Sequence, residues 1–283
     1  MDQILVYGDS LTWGIIPNTR KRLAFDERWP GVLENKLNVS SRRVRVIEDC
    51  LNGRRTVWED PFKPGRNGRS GLAQRIEIHS PLSLVILMLG TNDFQFSHPY
   101  NDAWSTAQGI AVLVNEIRHA PIEPGMAVPP ILIVCPPKIR APQGSIAPKF
   151  HDAEHRCEGL ADAYMRVASD LQCAFFDAES VTTTSVVDGV HLDSDQHAKL
   201  GNALAESGPE ALFEEIENLL PESWREHIRM YPIVAVVLGV GVGVWLGMKK
   251  GDEIIAAGTT MVTAAAMENV ASIMHGGAGG GDE

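Results

Sequence analysis

Five short apolar runs, rich in β-branched and aliphatic residues, constrain the fold of this chain more than any other feature. They cover residues 4–7, 44–47, 84–89, 131–134 and 174–176. The third and fourth runs, in LSLVILMLG and ILIVCPP, are almost unbroken, which is typical of strands buried on both faces of a parallel sheet. Stretches with helical spacing alternate with the runs. This alternation predicts an α/β fold with right-handed crossovers.

The same alternation sets the limits of the predicted domain. A last amphipathic helix ends near Leu220, and Pro221 follows as a stop signal. In a chain of 283 residues we therefore expect one large α/β domain over residues 1–220, followed by a polar linker over residues 221–230.

Bulk composition excludes several classes of partner. The net charge of −11 argues against nucleic acid, because phosphate backbones recruit basic surfaces. The four cysteines lack metal-type spacing and do not indicate a disulfide framework, so we expect a reducing compartment, no metal and no cofactor. The first apolar run is too short for a signal peptide, which predicts a cytoplasmic location for the α/β domain.

A serine lies where the first predicted strand ends, in the sequence GDSLTWG. Loops at the carboxyl ends of parallel strands form the ligand crevice, and Gly8 permits a sharp turn there. A helix that begins at Ser10 would direct its free N–H groups toward developing negative charge. Taken alone, the tripeptide is better explained as a turn with a capping serine.

A possible base for that serine occurs late in the chain, in the sequence DGVH. A nucleophilic serine needs a base such as His191, and the histidine needs an acceptor such as Asp188 for its other ring nitrogen. The order serine, aspartate, histidine is one that hydrolases use. The alternative for DGVH is a surface loop with an incidental histidine. We interpret His197, on the following helix, as a histidine without a catalytic role.

Two further polar motifs, LNGRRT and GTND, each follow a predicted strand and should face the same crevice. Acyl transfer creates an oxyanion, which needs hydrogen-bond donors that are already in place. Gly53 offers an unobstructed backbone N–H, and Asn92 offers a side-chain amide. By itself, each motif is better explained as an ordinary loop, because Gly and Asn are common there.

Together, the four motifs in this order resemble the SGNH (GDSL-type) hydrolase family, whose blocks centre on Ser, Gly, Asn and His. The segments RWPGVL, LVILMLGTNDF and FFDA are similar to its arylesterase and acyltransferase branch. The resemblance covers about residues 1–220. It implies a flavodoxin-like sandwich around a five-stranded parallel sheet.

The resemblance also implies the roles of individual residues. Ser10 is expected to be the nucleophile, His191 the base and Asp188 the acid that orients it. The backbone N–H groups of Ser10 and Gly53 and the Asn92 side chain are expected to form the oxyanion hole.

Neighbouring residues allow weaker expectations. Asp9 should hold the turn by accepting backbone N–H bonds. Trp13 and Phe94 follow two of the motifs and either wall an apolar acyl or alcohol pocket or belong to the core. Arg54 and Arg55 are expected to be solvated or paired with acids rather than to bind an anionic substrate.

The segment over residues 231–248 contains no charged residue and spans about 27 Å as a helix, close to the thickness of a bilayer core. Gly239, Gly243 and Gly247 form two overlapping G-x-x-x-G steps, a surface for helix association. We predict a transmembrane helix and a homo-oligomer. The alternative is a buried or oligomerising helix of a soluble protein. Residues 249–283 are expected to be an Ala/Gly-rich, partly disordered tail.

The sequence therefore predicts a serine esterase that hydrolyses small carboxylic esters with short acyl or aryl groups. Acyl transfer to an alcohol in place of water would use the same residues. The partner of this esterase would be a small-molecule ester. One alternative is a carbohydrate O-deacetylase that uses the same residues. The other is a membrane-tethered binding protein that has lost catalysis.

Overall fold

A five-stranded parallel sheet forms the centre of the computed structural model, which describes residues 2–39 and 43–207. The strands are β1 (Asp2–Gly8), β2 (Val44–Cys50), β3 (Leu84–Met88), β4 (Ile131–Cys135) and β5 (Ala174–Asp177). Their order is β2-β1-β3-β4-β5, and every neighbouring pair is parallel. This is the flavodoxin-like order of doubly wound sheets, so the predicted fold of the domain is confirmed.

Seven α-helices accompany the strands within the described residues. They are α1 (Ser10–Trp13), α2 (Trp29–Leu37), α3 (Leu72–His79), α4 (Ala103–Arg118), α5 (Ala153–Arg156), α6 (Leu160–Asp170) and α7 (Ser194–Glu206). Local chemistry fixes where the long helices begin. The Asp102 carboxylate accepts the Ser105 N–H at 2.8 Å, and the Ser105 hydroxyl accepts the Asp102 N–H at 2.9 Å, a reciprocal cap that starts α4.

Two apolar layers cover the sheet, because successive side chains of a strand point to opposite faces. Leu5 and Tyr7 of β1 pack in the layer formed with α3, α4 and α6. Ile4 and Val6 pack in the layer formed with α2 and α7. The near-continuous apolar runs of the sequence follow from this burial on both faces.

The strand order also determines where a ligand can bind. Since β2 and β3 lie on opposite sides of β1, the chain leaves the sheet in opposite directions after β1 and β3. A crevice forms at such a switch point, outside the carboxyl ends of the strands. The loops that begin at Asp9, Leu51 and Leu89 therefore meet at one edge.

The predicted linker, the transmembrane segment 231–248 and the tail 249–283 lie outside the described residues. Within residues 2–39 and 43–207, no helix is long and apolar enough to cross a membrane.

Candidate active site

The turn after β1 presents Ser10 as the first residue of α1. Asp9 caps this short helix, and its Oδ1 accepts the Leu11 N–H at 2.9 Å, as predicted. Gly8 is required because a Cβ there would lie only 2.2 Å from Thr12 Oγ1. The turn therefore holds the Ser10 hydroxyl at the edge of the sheet, above the end of a buried strand.

Ser10, His191 and Asp188 form a continuous hydrogen-bonded relay. Ser10 Oγ lies 3.2 Å from His191 Nε2, and His191 Nδ1 lies 2.7 Å from Asp188 Oδ2. A carboxylate can only accept, so Nδ1 carries the proton and Nε2 turns its lone pair toward the serine. The structure thus brings together three residues from opposite ends of the domain in the arrangement that a serine nucleophile needs.

The loop that carries Asp188 is itself fixed by hydrogen bonds. Asp188 Oδ1 accepts the N–H groups of Val190 and His191, both at 2.9 Å. Burial opposes ionisation, but these bonds and the charge and hydrogen bond of His191 hold the pKa of Asp188 below its ordinary value. The carboxylate is therefore ionised at neutral pH and can stabilise the imidazolium that forms when Ser10 loses its proton.

Gly53 and Asn92 line the same cleft as the relay. Gly53 follows β2 with φ +84°, a left-handed conformation that favours glycine. Asn92 follows β3 and is buried, with an exposed fraction of 3%. Its Nδ2 donates to Asp9 Oδ2 at 2.8 Å and to the Arg54 carbonyl at 3.1 Å. One N–H of the amide is thus held at the serine turn, and the other at the loop after β2.

Asp9 connects the nucleophile turn to Asn92, because one carboxylate oxygen holds Leu11 and the other holds the asparagine amide. Burial raises the pKa of Asp9 to about 6, although the bonds from Leu11 and Asn92 partly oppose this. Asp93 has a similar position. It accepts the N–H and the hydroxyl of Thr56 and thereby ties the β2 loop to the β3 loop. Burial raises the pKa of Asp93 to about 7 against those bonds.

Arg54 and Arg55 are buried and hold loops in place. Arg54 forms an ion pair with Asp49 at 2.7 Å and lies over the Tyr7 ring. Arg55 lies 3.6 Å from Asp60. Both pair with acids, as expected, and neither lines the cleft.

The cleft has a volume of about 360 Å³, and its apolar lining differs from the predicted one. Ile15, Ile146 and Phe150 supply the apolar surface. Phe94 is fully buried in the core and borders another cavity, because the short helix Thr91–Phe94 turns its ring away from Ser10. Trp13 does not line the cleft either. Its ring lies under the Arg22 guanidinium, 4.8 Å from the ring centre.

Sequence reasoning missed the segment Gly144–Phe150, which contributes Ile146 and Phe150 to the cleft. A signal for it was available, because this segment lies in the connection that follows β4. Connections after parallel strands begin at the edge where Ser10 lies.

His197 serves the fold, as interpreted from the sequence. It is fully buried, and its Nδ1 accepts the Trp29 N–H at 3.3 Å. Burial lowers its pKa to about 3, so it stays neutral. In the part of the chain that the structure describes, no group of three or more His, Cys, Asp or Glu side chains could hold a metal ion.

A serine activated by a histidine–aspartate pair, next to an asparagine amide and the start of a helix, defines a serine hydrolase of the acyl-transfer kind. Residues 6–199 match the model of the GDSL-like lipase/acylhydrolase family. The chain belongs to this family and is an esterase, so the predicted SGNH membership is confirmed.

Solved structures support the same conclusion. The native aryl esterase of M. smegmatis is 36% identical, with a TM-score of 0.68, over 78% of this chain and 100% of that chain. A carbohydrate acetylesterase of Sinorhizobium meliloti is 29% identical, with a TM-score of 0.69, over 73% of this chain and 98% of that chain. A member of a carbohydrate acetylesterase family from the same organism is 36% identical, with a TM-score of 0.68, over 73% and 96%. No curated protein matches the chain.

Proposed function

We propose that this esterase hydrolyses small carboxylic esters with short acyl or aryl groups through an acyl-enzyme on Ser10. The observation that carries the proposal is the relay from Ser10 Oγ to His191 at 3.2 Å and from His191 to Asp188 at 2.7 Å. The limited volume of the cleft and its lining by Ile15 and Ile146 favour a short apolar group next to the reacting carbonyl.

In the first half-reaction, Ser10 Oγ bonds to the ester carbonyl carbon while His191 Nε2 takes the serine proton. The negative charge that develops on the carbonyl oxygen is stabilised by the N–H groups of Ser10 and Gly53 and by the Asn92 amide. The bond to the leaving oxygen then breaks, and His191 returns its proton to the departing alcohol. In the second half, water loses a proton to His191 and attacks the acyl carbon. The bond from that carbon to Ser10 Oγ then breaks, His191 returns the proton to Ser10, and the carboxylic acid leaves. An alcohol in place of water gives acyl transfer.

Asn92 is prepared for this role by its contacts. The shorter of its two N–H bonds, at 2.8 Å, goes to Asp9 and fixes the amide. The other N–H donates to the Arg54 carbonyl at 3.1 Å, and an oxyanion would have to replace that carbonyl as its acceptor. Because the bond to Asp9 fixes the orientation of the amide, this exchange of one acceptor is the only change that Asn92 needs when charge develops.

A carbohydrate O-deacetylase is the second candidate, because two of the similar structures are described as carbohydrate acetylesterases. The same residues would remove an acetyl group from a sugar hydroxyl. The kcat/KM values for acetylated xylose and for 4-nitrophenyl acetate, each corrected for the uncatalysed rate, separate the two functions.

Labelling with a serine-directed fluorophosphonate tests the proposal directly. We expect stoichiometric labelling of the wild type and none of Ser10→Ala, together with hydrolysis of 4-nitrophenyl acetate by the wild type alone. Absence of both labelling and hydrolysis in folded wild-type protein would favour the binding-protein alternative.

For the tail, we propose that residues 231–248 anchor a cytoplasmic catalytic domain to a membrane and associate through Gly239, Gly243 and Gly247. Sequence alone supports this, through the length of the uncharged segment and the glycine spacing. Full-length protein should sediment with membranes, and protein truncated after Leu220 should not. A full-length protein that is soluble without detergent would contradict the anchor.

A further inference from the structure

A group of basic side chains surrounds the cleft, although the chain as a whole is acidic. Arg20, Lys63 and Lys149 line the cleft together with Ser10 and His191. They come from three separate connections, and we call them the rim cations. Arg66 lies next to Gly53, which also lines the cleft. A Cβ placed on Gly53 would be 3.9 Å from the Arg66 side chain. The chain carries 36 acidic and 25 basic residues, so its composition does not explain this concentration of positive charge.

The rim cations have no carboxylate partner. Within residues 2–39 and 43–207, none of the three forms an ion pair, and none uses its side chain in a hydrogen bond. Among the described residues, the Arg66 side chain donates to two carbonyls, those of Asn52 and Pro64, at 3.0 and 2.9 Å. Elsewhere in the domain, arginines do find acids, as Arg28 does with Glu48 at 2.6 Å.

The acids nearest to the cleft are already engaged. Asp188 is the acidic residue in the cleft lining, and it is bonded to His191. Asp60 is close enough to act on the charges of Lys63 and Lys149, but it is buried and lies 3.6 Å from Arg55. The rim therefore retains an excess of positive charge.

The rim cations are also close enough to influence one another. Burial lowers the pKa of Lys63, and repulsion from Arg66 and Arg20 lowers it further, against the attraction of Asp60. Burial likewise lowers the pKa of Lys149, with Asp60 opposing and Arg55, Lys63 and Arg20 adding to the effect. Like charges gathered without a counter-charge are unfavourable, and an anion bound among them would relieve the repulsion.

We propose that the ester which this enzyme hydrolyses is an anion, and that Arg20, Lys63 and Lys149 bind its negative group at the rim while Ser10 attacks the ester. This inference rests on the proposed function and specifies its substrate class. The negative group belongs either to the acyl part or to the alcohol part of the ester. In both cases the rim cations would bind a carboxylate. The two cases differ only in which part of the ester carries it.

Two matched pairs of esters test the proposal and distinguish the sources. The acyl pair is 4-nitrophenyl glutarate monoester against 4-nitrophenyl pentanoate. The alcohol pair is 4-acetoxybenzoate against its methyl ester. For at least one pair, we expect kcat/KM for the anionic ester to exceed that for the neutral ester by about tenfold at low ionic strength, after correction for intrinsic reactivity. At about 0.5 M salt the preference should largely disappear, because salt screens exposed charges.

Charge removal at the rim gives the second measurement. The double variant Lys63→Gln/Lys149→Gln should lower the anionic-to-neutral ratio of kcat/KM by about tenfold, and adding Arg20→Gln should lower it further. Lys199→Gln is the matched control, because Lys199 is exposed on α7 and pairs with Asp195 away from the cleft. It should leave the ratio unchanged. Melting temperatures check that each variant is folded.

The outcomes separate this inference from the function on which it rests. If Ser10-dependent hydrolysis of the neutral esters is found but the ratio stays near one and ignores the rim variants, the anionic substrate is wrong and the esterase remains. If folded protein hydrolyses neither member of either pair and resists the fluorophosphonate, the proposed function itself is overturned.

Discussion

The floor and the rim of the cleft are built in opposite ways. On the floor, Ser10, Asn92 and Asp9 are buried, and each is joined to another by a hydrogen bond or a shared turn. On the rim, Lys63 and Lys149 are exposed, although neighbouring atoms partly desolvate their amino groups, and they have no fixed partner within the described residues. The contrast separates two tasks. Bond making needs atoms that are already in place, whereas recognition of a charge tolerates long and mobile side chains.

The two regions should therefore respond differently to substitution. A buried polar group that loses its partner costs about 1–3 kcal/mol, in addition to any effect on the reaction. A solvated lysine that is replaced costs stability on the order of 0.5 kcal/mol or less. The rim variants described above test one side of this difference. The following four predictions test the floor and the apolar lining, beginning with the largest expected effect.

Replacing the expected nucleophile or base on the floor of the cleft should abolish ester hydrolysis. Ser10→Ala and His191→Ala should each lower kcat/KM for 4-nitrophenyl acetate by on the order of 10⁴-fold or more, because the relay acts as one unit. Combining them should cost little beyond either alone. A folded Ser10→Ala protein that kept a tenth of the wild-type activity would show that another residue is the nucleophile.

Asn92→Ala should lower kcat by about 10²–10³-fold with little change in KM, since its amide meets a charge that exists only in the transition state. Steady-state kinetics over a full substrate range measures the two constants separately. An increase in KM at constant kcat would instead place Asn92 among the groups that bind the ground state.

Phe94 and Ile146 form a matched test of where the apolar wall lies. Phe94→Ala should lower the free energy of unfolding by about 3–5 kcal/mol, because it empties a fully buried site in the core. Ile146→Ala should cost much less stability but change KM for short esters about 3- to 10-fold. Urea unfolding and steady-state kinetics of both variants measure the two effects. If Phe94→Ala changed KM and Ile146→Ala mainly lowered the free energy of unfolding, Phe94 would be the pocket residue.

The pH dependence of stability should reveal the buried carboxylates of the floor. Asp93 has a pKa of about 7 in the folded state and an ordinary value of 3.8. The folded state therefore binds the Asp93 proton more tightly than the unfolded state does. As pH rises from about 4 to about 7, the contribution of Asp93 to the free energy of unfolding falls. The slope for a single proton is at most about 1.4 kcal/mol per pH unit.

Asp93→Asn should remove that contribution, so the stability of the variant relative to wild type should improve steadily between pH 4 and pH 7. Urea unfolding at several pH values measures it, with Lys199→Gln as the control. Parallel curves for Asp93→Asn and wild type would show that Asp93 titrates normally in the folded state.

Much of the site follows from the sequence because topology alone brings the ends of parallel strands together. Ser10, Gly53 and Asn92 each follow an apolar run by a few residues, so their meeting at one edge needed no knowledge of side chains. Asp188 and His191 were found by chemistry, since the serine needed a base and the base needed an acid.

What the sequence did not reveal depends on side-chain direction and burial. Trp13 and Phe94 occupy the right loops, but the short helices after β1 and β3 turn their rings away from the cleft. The raised pKa values of Asp9 and Asp93 arise from burial, which no local pattern encodes. The rim cations belong to three connections that share no motif, so only the folded chain shows that they converge.

The separation of Ser10 and His191 by 181 residues has a consequence for biosynthesis. During translation the nucleophile is made early, yet its base, His191, is made only after all five strands of the sheet. The hydrogen bond between Ser10 and His191 can therefore form only after the chain of the whole sheet has been made. The same separation makes the enzyme suited to fragment complementation. A break in the exposed connection between α4 and β4, within residues 121–130, would place serine and histidine on different polypeptides and make ester turnover a readout of their reunion.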